Sequence, residues 1–194
     1  MEHIAITKKA RSEITDICKA TIAIEYEILL GYPKIVDHLR KFEDSPDSSL
    51  LTNYDLLGKE SLKHYTIIDE LIRKLGSEMT IVSSIPPQIE DIVNYARTLL
   101  EKEKTTRDLY VSARNIAKNK EKIVKRGRLF NLFRANNESA SESSFINQIT
   151  LKFDSIIKEK EFHIELAKKS LETLRRMPAD SIDSLDSQQM REHL

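Results

Sequence analysis

Residues 51–76 read LTNYDLLGKESLKHYTIIDELIRKLG, and the spacing within this stretch decides the fold. Tyr54, Leu57, Ser61, His64, Ile68, Leu71 and Leu75 recur at alternating steps of three and four residues, the interval that lines one face of an α-helix. Gly76 follows directly, in the position where helices commonly end in a left-handed turn. The stretch therefore predicts a helix from about 51 to 75. Its inward seam is apolar at both ends and polar in the middle, at Ser61 and His64.

Three further segments carry the same interval. Helix 1 is expected from about Lys8 to Phe42, with Ile14, Ile17, Thr21, Glu25, Ile28, Tyr32, Ile35 and Leu39 on its seam. Gly31 and Pro33 interrupt it, and an interior proline removes a backbone donor, so a kink or break is expected near residues 29–33. Helix 3, from about 88 to 118, places Ile89, Ile92, Ala96, Leu99, Glu103, Thr106, Tyr110 and Ala113 inward, with Pro87 in its first turn. Helix 4, from about 145 to 177, places Ile149, Phe153, Ile156, Lys160, His163, Ala167 and Leu174 inward, and Pro178 ends it. The expectation is an all-α four-helix bundle over residues 1–177, followed by a mobile, aspartate-bearing tail at 178–194.

Loop lengths constrain the topology. The short Asp44–Ser48 segment makes helices 1 and 2 antiparallel neighbours. Between helices 2 and 3, by contrast, some 12 extended residues reach about 40 Å, against roughly 37 Å for a 25-residue helix. That connector can cross the whole bundle, leaving helices 2 and 3 parallel. Asn136–Ser144 reads as a Ser- and Asn-rich loop before helix 4.

Composition agrees with long helices: only 4 Gly and 5 Pro, 40% hydrophobic and 32% charged residues in 194. Thirty-one basic residues balance 31 acidic ones, so no global field recruits nucleic acid or an anionic membrane. The local exception is residues 118–134, where Lys118, Lys120, Lys122, Lys125, Arg126, Arg128 and Arg134 interleave with Ile123, Val124, Leu129, Phe130, Leu132 and Phe133. This basic amphipathic segment either docks on an anionic surface or partner helix, or simply extends helix 3. Binding of nucleic acid there would show a steep salt dependence. A lone Cys18, no signal-peptide pattern and no apolar run near the roughly 18 residues of a membrane span lead us to expect a soluble cytoplasmic protein.

The four seams turn polar at one depth. Glu25, His64, Glu103 and His163 each lie near the middle of a helix, so an aligned bundle brings them to one level together with Ser61 and Lys160. Burying carboxylates uncompensated costs several kcal/mol each, which leaves two options, a bound cation or internal ion pairs.

Here the chain resembles the ferritin-like superfamily, in particular the rubrerythrin and bacterioferritin type of helix pairs. The resemblance is carried by Ala23-Ile24-Glu25-Tyr26-Glu27, by Ser61-Leu62-Lys63-His64 with Asp69-Glu70-Leu71-Ile72-Arg73-Lys74-Leu75-Gly76, by Leu100-Glu101-Lys102-Glu103 through Tyr110, and by Glu159 to Leu166. It implies a ferritin-like metal-binding protein, a di-iron-type oxidoreductase or iron-handling protein. His64 and His163 would be terminal ligands and Glu25 and Glu103 carboxylate ligands of one or two ions of Fe, or of Mn or Zn. Tyr26, Tyr65 and Tyr110 would be nearby hydrogen-bond donors, and a homo-oligomer is a further possibility. The chain also departs from the family pattern, which has Glu-x-x-His on helices 2 and 4: three residues before His64 stands Ser61, and three before His163 stands Lys160. Glu60 and Glu159, one residue further back, are additional candidate ligands. Alternatively Lys160 substitutes for the cation, and the chain is a metal-free, non-catalytic bundle serving as a structural or interaction protein.

Overall fold

A computed structural model describes residues 2–41, 48–78, 89, 91–130 and 137–177. They form four helices, α1 (Glu2–Leu39), α2 (Ser48–Lys74), α3 (Ile92–Phe130) and α4 (Asn137–Arg175), with no strand among the described residues. The tail 178–194 lies outside them, as do the side chains of 120–134, so the basic segment is described only as far as α3's backbone continuing to Phe130.

Several helix ends differ from expectation for local reasons. α1 is unbroken through Gly31 and Pro33; the δ-carbon of Pro33 packs 3.4 Å from the position a Cβ would take on Gly58, so α2 covers the proline where it has no side chain of its own. α3 begins at Ile92 rather than near 88, because Asp91 caps it: its Oδ1 accepts the Asn94 amide at 3.0 Å and its carbonyl accepts the Tyr95 amide at 2.9 Å. The expected loop at 137–144 is instead the start of α4. Ser and Asn have only mildly unfavourable helix propensity, which packing further along the helix outweighs. At the end of α2, Gly76 has φ 72°, the Gly76 amide donates to Arg73 O at 2.9 Å and the Ser77 amide to Ile72 O at 3.1 Å, the paired bonds of a Schellman cap. Arg11 of α1 adds bonds to Leu75 O and Lys74 O, both at 3.2 Å.

Those bonds place the start of α1 beside the end of α2, so the two are antiparallel. Asn53 meets Ser170 and Glu70 meets Lys152, making α2 and α4 antiparallel as well. Glu103 with Lys160 and Arg114 with Asp154 do the same for α3 and α4. α1 and α3 approach so closely that a Cβ on Gly31 would fall 2.6 Å from Leu99 Cδ2. In cross-section α1 and α4 lie on one diagonal, α2 and α3 on the other. It follows that α2 and α3 run parallel, and that the chain between them crosses from one end of the bundle to the other.

Two apolar clusters fill the core. One gathers Ile28, Tyr32, Ile35 and Leu39 with Leu57, Leu99, Ala167 and Leu174; the other gathers Ile14, Cys18 and Ile22 with Ile68, Leu71, Tyr110, Phe153 and Ile156. Between them lies a slab of fully buried polar side chains, Glu25, Ser61, His64, Glu103, Thr106, Lys160 and His163.

Candidate functional site

Each helix contributes to this slab from its middle turns, and each contributor sits on the inward seam because the helix interval leaves it nowhere else to point. Glu25 comes from α1, Ser61 and His64 from α2, Glu103 and Thr106 from α3, Lys160 and His163 from α4. Two of them are short-circuited locally: Ser61 Oγ donates to Leu57 O at 2.8 Å and Thr106 Oγ1 to Glu103 O at 3.0 Å. These hydroxyls are satisfied within their own helices.

The centre of the slab is a lysine between two carboxylates. Lys160 Nζ donates to Glu25 Oε2 at 2.8 Å and to Glu103 Oε2 at 2.6 Å, and all three side chains are 0% exposed. The Tyr110 hydroxyl donates to the other oxygen of Glu25 at 2.8 Å. Burial raises the Glu25 pKa, with Lys160 opposing and Glu103 reinforcing the shift. For Lys160 burial alone would favour the neutral amine; the two carboxylates outweigh it, and its pKa is raised. The lysine is therefore an ammonium ion at neutral pH.

The imidazoles of His64 and His163 face each other. Their ring centres are 5.1 Å apart at 35°. His64 Nε2 lies 3.0 Å from Glu159 Oε2, at the partly exposed seam of α2 and α4, where Lys63 also reaches the same oxygen at 2.8 Å. Since the carboxylate only accepts, the ring proton is on Nε2, and the lone pair of His64 is on Nδ1. Burial, then the charges of Lys160 and Lys63, pull the His64 pKa down to about 2. Burial, then His64 and Lys160, pull His163 down to about 3. Both rings are neutral. Nδ1 of His64, Nδ1 of His163 and Oε1 of Glu103 are buried without a hydrogen bond, the last two 3.9 Å apart.

The predicted residues thus fall into three groups. Glu25, Glu103 and Lys160 meet directly; His64 and His163 pair with tilted rings, with Glu159 at the outer edge; Glu60 stays at the surface, 3.5 Å from Lys63. Of the tyrosines, Tyr110 enters the slab, whereas Tyr26 and Tyr65 lie partly exposed, their rings 6.0 Å apart. Sequence reasoning missed Tyr32, taken only as packing. It is fully buried, Glu103 helps to raise its pKa after burial itself, and its hydroxyl stops short of a hydrogen bond. Its place on the seam two turns after Glu25 was the available signal.

A metal pair does not fit these residues. The space between Glu25 and Glu103 that a cation would share is filled by the Lys160 ammonium, and the positions three residues before each histidine hold a hydroxyl and that same lysine rather than carboxylates. Among the described residues no group of three or more His, Cys, Asp or Glu side chains is placed to hold a metal ion. Nor is any described helix long and apolar enough to cross a membrane.

The parallel pair α2 and α3, the crossover and the polar mid-bundle slab define a ferritin-like fold. A solved structure of this fold, titled as ferritin-like, diiron-carboxylate proteins from Bacillus anthracis str. Ames, superposes with a TM-score of 0.61 over 84% of this chain and 97% of that one, at 15% identity. No protein-family model and no curated protein matches this sequence.

Proposed function

We propose that this chain is a metal-independent ferritin-like bundle with a structural or interaction role, in which Lys160 supplies the positive charge that the layer needs. The observation that carries this reading is the Lys160 ammonium within hydrogen-bond distance of both buried carboxylates. A carboxylate pair buried without a cation is strongly unfavourable, and one well-placed ammonium with the Tyr110 bond answers that need inside the chain. The diiron-carboxylate title of the structural neighbour supports the contrary reading, an iron-binding oxidoreductase or iron-handling protein on Glu25, His64, Glu103 and His163. That reading requires Lys160 to leave a site it fills.

An interaction role draws on the outer faces. Leu151 and Phe162 lie roughly three turns apart on α4 and are 64% and 55% exposed, and Leu62 of α2 is 52% exposed. Such a surface suits a second copy of the chain or another cytoplasmic protein, while the basic segment 118–134 suits an anionic surface.

Elemental analysis of protein from iron- and manganese-supplemented cells tests the reading. We expect less than about a tenth of an equivalent of any transition metal, and a melting temperature indifferent to chelators. A full equivalent, or a chelator-sensitive fold, overturns it.

A further inference from the structure

We propose that the groove on the outer face of α1 and α2 is an interface between two copies of this chain, with Leu62 of each copy seated in the groove of the other. This rests on the interaction role read above, and names the partner and the surface for it.

The groove is built by what α2 lacks. Gly58 offers no side chain, and the Pro33 ring of α1 settles against it, its δ-carbon 3.4 Å from where a Cβ would stand. Leu29, Pro33 and Val36 of α1 line an open trough of about 270 Å³ beside that point, and Leu62, one turn further along α2, borders it. The trough has more room than one leucine side chain takes. Leu62 itself is 52% exposed, and Pro33 is exposed outside its contact with Gly58. Beyond Leu62 the apolar strip continues into the partly exposed Tyr26 and Tyr65, whose rings lie 6.0 Å apart. One face thus carries an apolar projection next to an apolar recess.

Charge names the occupant. The groove is bordered by Asp37 and Arg40 of α1, 3.6 Å apart, and by Asp55 and Lys59 of α2, 2.5 Å apart. All four side chains are exposed, and two acidic against two basic groups leave the rim neutral. A nucleic acid, an anionic membrane or an acidic peptide calls for a rim of one sign. A two-fold contact calls for the opposite. The same patch then stands on both sides, so each copy must hold its own projection and recess and both signs of charge. This face holds all of them, and its two tyrosines belong to the aromatic class enriched at interfaces.

The test is the molar mass of the full chain by sedimentation equilibrium over micromolar concentrations. The mass should rise toward twice the 22.4 kDa of one chain. Leu62→Glu should keep its helical circular dichroism and raise the dimer Kd at least about tenfold, the loss expected for a central interface residue. Leu151→Glu alters an exposed leucine of α4, outside the groove, and should leave the dimer intact. The rim charges give a readout that does not depend on Leu62. Asp37→Lys/Asp55→Lys makes the rim basic and Arg40→Glu/Lys59→Glu makes it acidic; each variant should be monomeric alone, and their mixture should associate. A chain that stays monomeric throughout, as it would if this face served a different protein, overturns the proposal. So does a dimer that Leu62→Glu leaves unchanged, or a pair of rim variants that mix without associating. Metal content separates this result from the preceding one. Monomeric protein free of metal overturns the interface and leaves the metal-independent reading of Lys160 standing, whereas dimeric protein carrying a full equivalent of metal does the reverse.

Discussion

Lys160 Nζ of α4 and Glu103 Oε2 of α3 stand 2.6 Å apart, both wholly withdrawn from water, and Glu25 of α1 completes the contact at 2.8 Å. Three helices are thereby tied at one level by a single ammonium group.

Loss of that ammonium should be costly. Lys160→Met strands two buried carboxylates, and removing one member of a buried ion pair typically costs about 3–5 kcal/mol. Urea unfolding should show a loss of that size. In Lys160→Met/Glu25→Gln/Glu103→Gln, where no buried charge remains, most of it should return. A triple variant as unstable as the single one would show that packing, not charge, makes Lys160 matter.

Tyr110→Phe keeps the ring against Phe153 and removes only the hydroxyl that serves Glu25. A hydrogen bond to a charged group contributes about 1.5–3 kcal/mol, and the variant should lose an amount in that range by denaturant titration. A loss below about 0.5 kcal/mol would mean that this bond does not hold Glu25 in place.

Acid should weaken the fold through the two histidines. Their folded pKa values, about 2 for His64 and about 3 for His163, lie below the roughly 6.5 of an unfolded histidine. Between those limits the unfolded chain binds more protons than the folded one, so stability rises with pH. The contribution is fully present above about pH 6.5 and is lost as the pH falls from there toward 3, at up to about 1.4 kcal/mol per pH unit for each ring. Stability measured across pH 4–6.5 should be flatter in His64→Gln/His163→Gln, and an unchanged slope would place the acid sensitivity elsewhere.

At the end of α2 the expected effect is on the backbone. Gly76 has φ 72°, so Gly76→Ala should cost about 1 kcal/mol in thermal or urea unfolding without altering the buried layer. An unchanged midpoint would mean that the Schellman turn adapts freely.

The seams were legible because helical periodicity is written locally: a side chain's depth follows from its spacing along one helix. That is why Glu25, Ser61, His64, Glu103, Lys160 and His163 could be assigned to one level from residue numbers alone. The ends of the helices were less legible. The start of α3 turned on the Asp91 cap, and residues 137–144 are helical although rich in Ser and Asn, since weak propensities yield to packing further along the helix.

Partnership within the layer belonged to the tertiary structure. A lysine with a flexible four-carbon stem reaches any of several neighbours, and only the close approach of α1 and α3 at Gly31 and Leu99, with α4 packed against α3, puts Glu25 and Glu103 on either side of it. The same packing separates Glu60 from Glu159, two residues with the same spacing to a histidine: one remains beside Lys63 at the surface, the other bonds His64. The sequence by itself determined four helices, their inward faces and a charged level in the core, because these depend on the interval between residues. Which charge neutralises which was decided only when four helices met, because an ion pair depends on distances between chain segments that no local interval encodes.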